Sequence, residues 1–255
     1  MTTILDAFRL DGKTAVITGA SSGLGAGFAQ ALAQAGADVV LAARRSERLA
    51  NVAQCVDRIG RRTLCVSTDV SDPDQCEALA DAAVAEFGQI DILINNAGIG
   101  TAVPAFKERP EEFRRVIDVN LNGAYWAAQA CGRRMRPGSS IVNVASVLGL
   151  IKSYAPQAAY AASKAGVIGL TRDLSQQWSG RHGIRVNAVA PGYFASEMTS
   201  AIPPDQLMDF VRRNSTLGRL GEQDELNTAV LFLASPAASY ITGVTLAVDG
   251  GMSGH

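Results

Sequence analysis

Short apolar runs alternate with longer amphipathic segments along almost the whole chain. The apolar runs predict seven β-strands, at Lys13–Thr18, Asp38–Ala43, Thr63–Ser67, Ile90–Ile94, Ser140–Val144, Ile184–Ala190 and Val244–Val248. The segments between them predict helices at Gly23–Ala35, Ser46–Ile59, Pro73–Phe87, Pro110–Asp118, Leu121–Met135, Ala158–Trp178 and Glu222–Leu233. Several strands are continuous apolar runs, so we expect helices on both faces of a parallel sheet. The pattern predicts a doubly wound α/β fold.

No linker, internal repeat or low-complexity segment divides the chain, so we expect residues 1–255 to form a single domain. The most irregular stretch is Gly192–Arg219, which interrupts the alternation directly after a strand. That position favours a substrate lid over a site at the carboxyl ends of the strands. The alternative is a surface excursion that contains a short helix.

Composition excludes several classes of protein. Lys and Arg number 23 and Asp and Glu 24, a net charge of −1, so no nucleic-acid partner is expected. Four cysteines without a C-x-x-C pair and two histidines predict no metal site. The first residues do not resemble a signal peptide, and no apolar run reaches the roughly 18 residues of a membrane span. We therefore expect no membrane association and a cytoplasmic location.

A glycine-rich turn separates the first predicted strand from the first predicted helix. Its sequence is Thr18-Gly19-Ala20-Ser21-Ser22-Gly23-Leu24-Gly25. Glycines allow a ligand phosphate to approach the backbone closely, and the helix N-terminus behind them attracts negative charge. The position between strand and helix favours a pyrophosphate site over a turn without a ligand.

Four motifs together resemble the short-chain dehydrogenase/reductase family, and its 3-oxoacyl-carrier-protein-reductase-like and sugar-dehydrogenase-like members in particular. They are the T-G-x-x-x-G-x-G turn, Asn95-Asn96-Ala97-Gly98, Tyr160-Ala161-Ala162-Ser163-Lys164 and Pro191-Gly192. The resemblance implies a single-domain Rossmann-type sheet of seven parallel strands, a nicotinamide dinucleotide, and hydride transfer between a carbonyl and an alcohol. It also implies a homotetramer in which Leu121–Met135 and Ala158–Trp178 pair between subunits.

Tyr160 and Lys164 lie four residues apart on a predicted helix and therefore share a face. A nearby ammonium favours the phenolate and is expected to lower the pKa of Tyr160, which suits an acid/base catalyst. The resemblance assigns Ser146 to hydrogen bonding of the reacting oxygen and Asn120 to a locally distorted helix that holds a water near Lys164. The interval from Ser146 to Tyr160 is one residue longer than is usual in the family, so Ser153 remains an alternative.

The resemblance also assigns the cofactor-binding residues. They are Gly19, Ser21, Ser22, Gly23, Leu24 and Gly25 in the turn, Arg44, Asp69, Val70, Asn96, Ala97 and Gly98 at strand ends, Tyr160 and Lys164, and Pro191, Gly192 and Ser196 after the sixth strand. Asp69 is expected to contact the adenine, although a carboxylate at a helix N-terminus is the alternative for it.

The end of the second strand favours NADP over NAD. Ala43 occupies the position where NAD enzymes carry a carboxylate for the ribose 2′-hydroxyl, and Arg44 follows it. A guanidinium at this place suits a 2′-phosphate. Binding of NAD stays open, as does a merely solvated arginine at a helix start.

The leading hypothesis is therefore an NADP(H)-dependent oxidoreductase that acts on a small-molecule ketone or secondary alcohol. A catalytically idle dinucleotide-binding sensor or scaffold is the alternative, and an isomerase or dehydratase of related fold is a weaker one. The presence of Asn120, Ser146, Tyr160 and Lys164 together argues against the idle protein.

Overall fold

The computed structural model describes residues 3–195 and 203–254. Its centre is a seven-stranded, all-parallel sheet with the strand order β3-β2-β1-β4-β5-β6-β7. The strands are β1 Thr14–Thr18, β2 Asp38–Ala43, β3 Thr63–Ser67, β4 Ile92–Asn95, β5 Ser140–Val144, β6 Arg185–Pro191 and β7 Thr245–Val248. The predicted doubly wound, Rossmann-type fold is confirmed.

Eight α-helices of four or more residues are described between and after the strands. They are α1 Gly23–Gln34, α2 Ser46–Ile59, α3 Pro73–Phe87, α4 Pro110–Ile117, α5 Gly123–Gly132, α6 Ala158–His182, α7 Pro204–Asn214 and α8 Gln223–Ala234. Within residues 3–195 and 203–254, no helix is long and apolar enough to cross a membrane.

Burial of the central strands on both faces explains their uninterrupted apolar runs. All five residues of β1 are buried, and successive side chains enter opposite layers. Ile17 packs with Phe28 of α1 and Leu226 of α8, whereas Val16 packs with Leu79 of α3 and other apolar residues on the opposite face. The two hydrophobic layers sandwich the sheet, as a parallel sheet requires.

The order of the strands reverses between β1 and β4. β2 and β3 extend the sheet from β1 in one direction, and β5, β6 and β7 extend it from β4 in the other. The connections that leave β1 and β4 therefore diverge and open a crevice at the carboxyl ends of these strands, where ligands bind in open α/β sheets.

Besides shifts of up to four residues at the ends of several elements, two segments differ in kind from the predicted elements. The helix predicted from Leu121 is preceded by a π-helical turn, Asp118–Asn122, which joins α4 to α5 without a break. The segment Gly192–Arg219 contains α7, whose Leu207 and Val211 are buried. Helix α7 is the short helix that was considered for this segment as the alternative to a lid.

Candidate active site

A cleft of about 820 Å³ opens at the switch point between β1 and β4. Nearly all the residues predicted to bind a cofactor or substrate line it: Gly19, Ser21, Ser22, Gly23, Leu24, Gly25, Arg44, Asp69, Val70, Asn96, Ala97, Gly98, Ser146, Tyr160, Lys164, Pro191 and Gly192. Two predicted residues remain. Asn120 is buried behind the wall of the cleft, and Ser196 lies outside the described residues.

The glycine-rich turn depends on backbone conformations that other residues rarely adopt. Gly19 has φ +66° and Gly23 has φ +52°. A Cβ on Gly19 would also lie 2.8 Å from the Cα of Ala97. Ser22 precedes α1, and its side chain does not cap the first N–H groups of that helix. A helix N-terminus without a side-chain cap fits the pyrophosphate of a dinucleotide.

Thr18 and Asn96 join this turn to the end of β4. The Thr18 hydroxyl oxygen accepts hydrogen bonds from the backbone N–H groups of Asn96 (3.0 Å) and Ala97 (3.1 Å). The Asn96 amide donates in return to the carbonyls of Thr18 (3.0 Å) and Gly19 (3.1 Å). Asn96 therefore fixes the position of the turn. Thr18 had no assigned role in the sequence analysis beyond the turn motif.

At the end of β2, Ala43 is buried and Arg44 is 56% exposed as a side chain, with its Nη1 3.9 Å from Oδ2 of Asp69. Asp69 accepts hydrogen bonds from the hydroxyl (2.7 Å) and backbone N–H (3.0 Å) of Ser71, and the hydroxyl bond is the main cause that lowers its pKa. Asp69 is not the N-terminal residue of α3, because Asp72 caps that helix.

Arg45 is a second basic residue at the cleft, and the sequence analysis assigned it no separate role. Its Nη2 donates to the hydroxyls of Ser22 (3.1 Å) and Ser21 (3.3 Å) in the glycine-rich turn. Arg45 therefore adds a second guanidinium group to that of Arg44 between the end of β2 and the turn. The adjacent Arg44-Arg45 pair after β2 is the sequence signal that could have identified Arg45 as a second basic residue of the cleft.

Tyr160 and Lys164 on α6 and Ser146 after β5 form a buried group at the cleft. Tyr160 is 8% exposed and Lys164 5% exposed. The Ser146 side chain lies near the Tyr160 hydroxyl, whose pKa it lowers, and accepts from the backbone N–H of Leu148 (3.1 Å). Ser153, the alternative to Ser146, donates instead to the Ala155 carbonyl (2.8 Å) and the Gln157 side chain (3.1 Å). The geometry thus brings Ser146, and not Ser153, to Tyr160.

The pKa of Tyr160 is raised, which is opposite to the direction expected from its neighbour Lys164. Burial is the main cause, and the nearby Ser146 side chain, which lowers the pKa, opposes it. Lys164 Nζ lies 5.7 Å from the centre of the Tyr160 ring and donates to the Val144 carbonyl (2.7 Å). Burial also lowers the pKa of Lys164, to about 8. Because Lys164 is more easily deprotonated and donates to the Val144 carbonyl, it stabilises a Tyr160 phenolate less than a free ammonium would.

Asn120 lies in the π-helical turn, as its predicted location in a distorted helix required. Its side chain bonds both backbone groups of Ile99: Oδ1 accepts from the N–H (2.8 Å) and Nδ2 donates to the carbonyl (2.9 Å). Nδ2 also donates to the Ser163 hydroxyl (3.0 Å). A Cβ on Gly98 would lie 3.4 Å from Asn120 Oδ1 and 3.5 Å from Lys164 Nζ, so the glycine keeps the space between them clear.

Lys164→Met tests whether burial lowers the pKa of Lys164. Unfolded Lys164 keeps its proton up to a pKa near 10.5, whereas the folded side chain releases it above about 8. Folding of the wild type therefore releases a proton between these values, and its stability rises with pH there relative to the methionine variant. The stability advantage of Lys164→Met should shrink by up to about 3 kcal/mol between pH 7 and pH 10.5.

Urea unfolding of the wild type and Lys164→Met, each at several pH values, measures this difference. Lys152→Met is a matched control, because Lys152 is an exposed lysine at the protein surface. A stability difference between wild type and Lys164→Met that does not change across this range would contradict the lowered pKa.

A doubly wound sheet with a glycine-rich turn and a buried Tyr–Lys pair at its switch point defines a Rossmann-type dinucleotide oxidoreductase. A family model described as enoyl-(acyl carrier protein) reductase matches residues 19–253. The chain belongs to the short-chain dehydrogenase/reductase family. It is an enzyme of the class that acts on CH–OH groups with NAD(P).

Relatives and a solved structure agree with this membership. Galactitol 2-dehydrogenase (L-tagatose-forming) of Cereibacter sphaeroides is 43% identical over 250 residues, which are 96% of each chain. A 3-oxoacyl-(acyl-carrier-protein) reductase of Vibrio cholerae is 40% identical, covering 96% of this chain and 98% of its own. Gluconate 5-dehydrogenase of Burkholderia cenocepacia, solved with NADP and tartrate, superposes with a TM-score of 0.93 at 37% identity over 99% of this chain and 100% of its own.

Proposed function

We propose that the chain interconverts a ketone and a secondary alcohol with NADP(H), and that Tyr160 is the acid/base catalyst. One observation carries the proposal: Ser146, Tyr160 and Lys164 converge at the cleft that the glycine-rich turn also lines. Proton transfer and dinucleotide binding can therefore occur in one site.

The residues of the cleft fit a dinucleotide. The uncapped start of α1 and the glycines at positive φ suit the pyrophosphate, and Ala97 and Gly98 leave room beside the end of β4. The bound nicotinamide supplies the acceptor or donor of hydride. Pro191 and Gly192 at the end of β6 line the same cleft beside Tyr160 and would hold the nicotinamide end.

Tyr160 and Ser146 would act on the oxygen of the substrate. The raised pKa keeps the Tyr160 phenol protonated at neutral pH, so it is ready to donate a proton to the alkoxide that forms when a ketone is reduced. In the reverse direction Tyr160 accepts the alcohol proton. The Ser146 hydroxyl donates to the same oxygen and stabilises its developing charge.

Lys164 and Asn120 would support these steps. The buried Lys164 ammonium adds positive charge beside the Tyr160 ring and would bind the ribose hydroxyls. Asn120, held by Ile99, would position a water that relays protons between Lys164 and solvent across the space left by Gly98.

NADP is the preferred cofactor in this proposal, and NAD is the alternative. No carboxylate occupies the end of β2 to accept the 2′-hydroxyl of NAD, and two arginines, Arg44 and Arg45, border the cleft there. A 2′-phosphate would form charge-assisted hydrogen bonds with them. The structural relative from Burkholderia cenocepacia was solved with NADP.

The segment Gly192–Arg219 would cover the substrate end of the cleft. Phe210 of α7 contacts the rings of Tyr193 (5.0 Å between centroids) and Tyr154 (4.9 Å), which brings the helix against residues at that end. The lid role follows from this contact and from the position of the segment after β6.

We also propose the homotetramer implied by the family resemblance. The open edge of β7 supports association, because Val244 and Leu246 there and Tyr240 before it are exposed. Light scattering of the purified protein should give four times the mass of one chain. The mass of a single chain would contradict the tetramer.

A panel of ketones and secondary alcohols, assayed with NADPH/NADP and with NADH/NAD, tests the proposed function. The absorbance of the reduced nicotinamide should change with at least one substrate, and the NADP pair should give the higher kcat/KM. The absence of turnover across the panel by protein that binds NADPH would favour the idle dinucleotide-binding protein.

A further inference from the structure

We propose that Ser163 is a positioning residue for proton transfer: its buried hydroxyl joins the side-chain amide of Asn120 to the backbone of Tyr160. The inference rests on the proposed oxidoreductase function and adds a residue that enters the sequence analysis only as a letter of the Tyr160–Lys164 motif. It follows from two hydrogen bonds that the steps assigned to the other residues of the site do not use.

Ser163 is fully buried on α6, in the helical turn between Tyr160 and Lys164. Its hydroxyl donates to the Tyr160 carbonyl (2.7 Å) and accepts from Nδ2 of Asn120 (3.0 Å). A hydroxyl has one proton, so donation to the carbonyl leaves only its lone pairs for Asn120. The amide nitrogen of Asn120, and not the amide oxygen, therefore faces α6.

The Asn120 amide is held between two elements. Ile99, in the segment after β4, donates to Oδ1 (2.8 Å) and accepts from Nδ2 (2.9 Å), and Ser163 holds the same Nδ2 from α6. In this orientation Oδ1 borders the space beside Gly98: a Cβ on that glycine would lie 3.4 Å from Oδ1 and 3.5 Å from Lys164 Nζ. The proposed relay between Lys164 and solvent crosses this space, so the bond from Ser163 fixes an acceptor along it.

Small residues on α6 allow the π-helical turn Asp118–Asn122 to approach the helix closely. Ser163 and Gly166 lie three residues apart on α6 and therefore share a face. A Cβ on Gly166 would lie 2.8 Å from Cδ2 of Leu121 in the turn, closer than packed side chains allow. The absence of that Cβ lets the turn lie against α6, where Asn120 is within hydrogen-bond distance of Ser163.

A second hydroxyl on α6 makes the same pair of bonds away from the cleft. Thr171, about two turns after Ser163, donates to the Val167 carbonyl (2.8 Å) and accepts from Nδ2 of Asn143 (2.9 Å). Thr171 and Asn143 are fully buried, and neither lines the cleft. Thr171 therefore separates the general cost of losing such a hydroxyl from an effect on the reaction.

Ser163→Ala should lower kcat about tenfold with the best substrate of the panel, an effect of the size of one hydrogen bond, and leave the KM for NADPH within about twofold of the wild type. In an Asn120→Ala background the same substitution should lower kcat by less than about twofold, because Ser163 acts through Asn120. Thr171→Val is the matched control. It should lower the melting temperature, as Ser163→Ala does, and keep the kcat of the wild type.

The ratio of kcat in H₂O to kcat in D₂O reports on proton transfer itself. A slower relay makes proton transfer more rate-limiting, so this ratio should be larger in Ser163→Ala than in the wild type and unchanged in Thr171→Val. A general loosening of α6 would lower the melting temperature without raising the ratio. Ser163→Cys keeps the size of the side chain but forms only weak hydrogen bonds, so it should change kcat and the ratio in the same direction and serves if the alanine variant is unstable.

A kcat of Ser163→Ala equal to that of the wild type would overturn the inference and leave the oxidoreductase function intact. An equal loss of kcat with and without the Asn120 side chain, or an isotope ratio that does not rise, would also overturn it, because Ser163 would then act on the fold rather than through Asn120. Wild-type protein that binds NADPH but turns over no alcohol or ketone would overturn both proposals.

Discussion

Tyr160→Phe is expected to lower kcat at least about a hundredfold while NADPH still binds nearly as tightly as to the wild type. The substitution keeps the ring that packs in the buried cluster with Val147 and Leu148, and it removes only the hydroxyl that lies near Ser146. Without that hydroxyl, neither Ser146 nor Lys164 places a proton donor at the same position. Steady-state kinetics and a fluorescence titration with NADPH measure the two quantities.

Tyr125→Phe is the matched control for this change, because Tyr125 is half-buried on α5 and its hydroxyl accepts from Gln129. It should leave both kcat and NADPH binding unchanged. A turnover number of Tyr160→Phe close to that of the wild type would remove Tyr160 from the acid/base role.

Arg44→Ala combined with Ala43→Asp should invert the preference between the two cofactors. Arg44→Ala alone removes a charge-assisted partner of the 2′-phosphate and should weaken NADPH binding by about 1.5–3 kcal/mol, or ten- to a hundredfold, with little effect on NADH. The added carboxylate would repel the phosphate and accept a hydrogen bond from the 2′-hydroxyl of NADH. Arg44→Ala and Ala43→Asp therefore both shift the difference in affinity between NADPH and NADH in favour of NADH.

Titration of each variant with NADPH and NADH checks this result. Arg58→Ala on α2 is a suitable control, because Arg58 bonds Gln54 and Cys55 of its own helix and does not line the cleft. Equal weakening of both cofactors by Arg44→Ala, or a wild type that prefers NADH, would show that Arg44 does not recognise the phosphate. Arg45→Ala then tells whether the second guanidinium carries that role.

Elements that begin or end at clear sequence signals, such as proline or glycine, were predictable to the residue. β2, β3 and β5 and helices α2 and α3 begin and end where the apolar pattern placed them. Pro73 begins α3, and Gly60 and Gly88, at positive φ, follow the last residues of α2 and α3. Proline at a helix start and glycine after its end are local signals that do not depend on tertiary contacts.

The features that escaped prediction depend on contacts between distant residues. The bonds of Asn120 to both backbone groups of Ile99 join residues 21 positions apart, and no local pattern specifies that pairing. Arg45 after β2 reaches Ser22 after β1, because the carboxyl ends of these two parallel strands are adjacent. The raised pKa of Tyr160 reflects burial, whereas the sequence shows only the lysine one turn away.

The helix over Pro204–Asn214 was also not predicted as an element of its own. Only Leu207 and Val211 of its residues are buried, so the apolar pattern is weak beside Pro203, which precedes the helix, and Pro204, which begins it. Its packing against Tyr154 and Tyr193 arises from aromatic residues far apart in the sequence. Sequence periodicity carries no information on such contacts.

Transfer of deuterium tests most directly whether this chain catalyses hydride transfer between an alcohol and a nicotinamide. The best alcohol of the substrate panel, labelled with deuterium on its carbinol carbon, is incubated with the wild-type protein and NADP, and the products are analysed by mass spectrometry. The proposed function predicts that the label appears in the reduced nicotinamide and that the alcohol becomes a ketone. Loss of the label to water, or its retention in an isomer beside an unlabelled cofactor, would contradict that function and favour an isomerase or dehydratase.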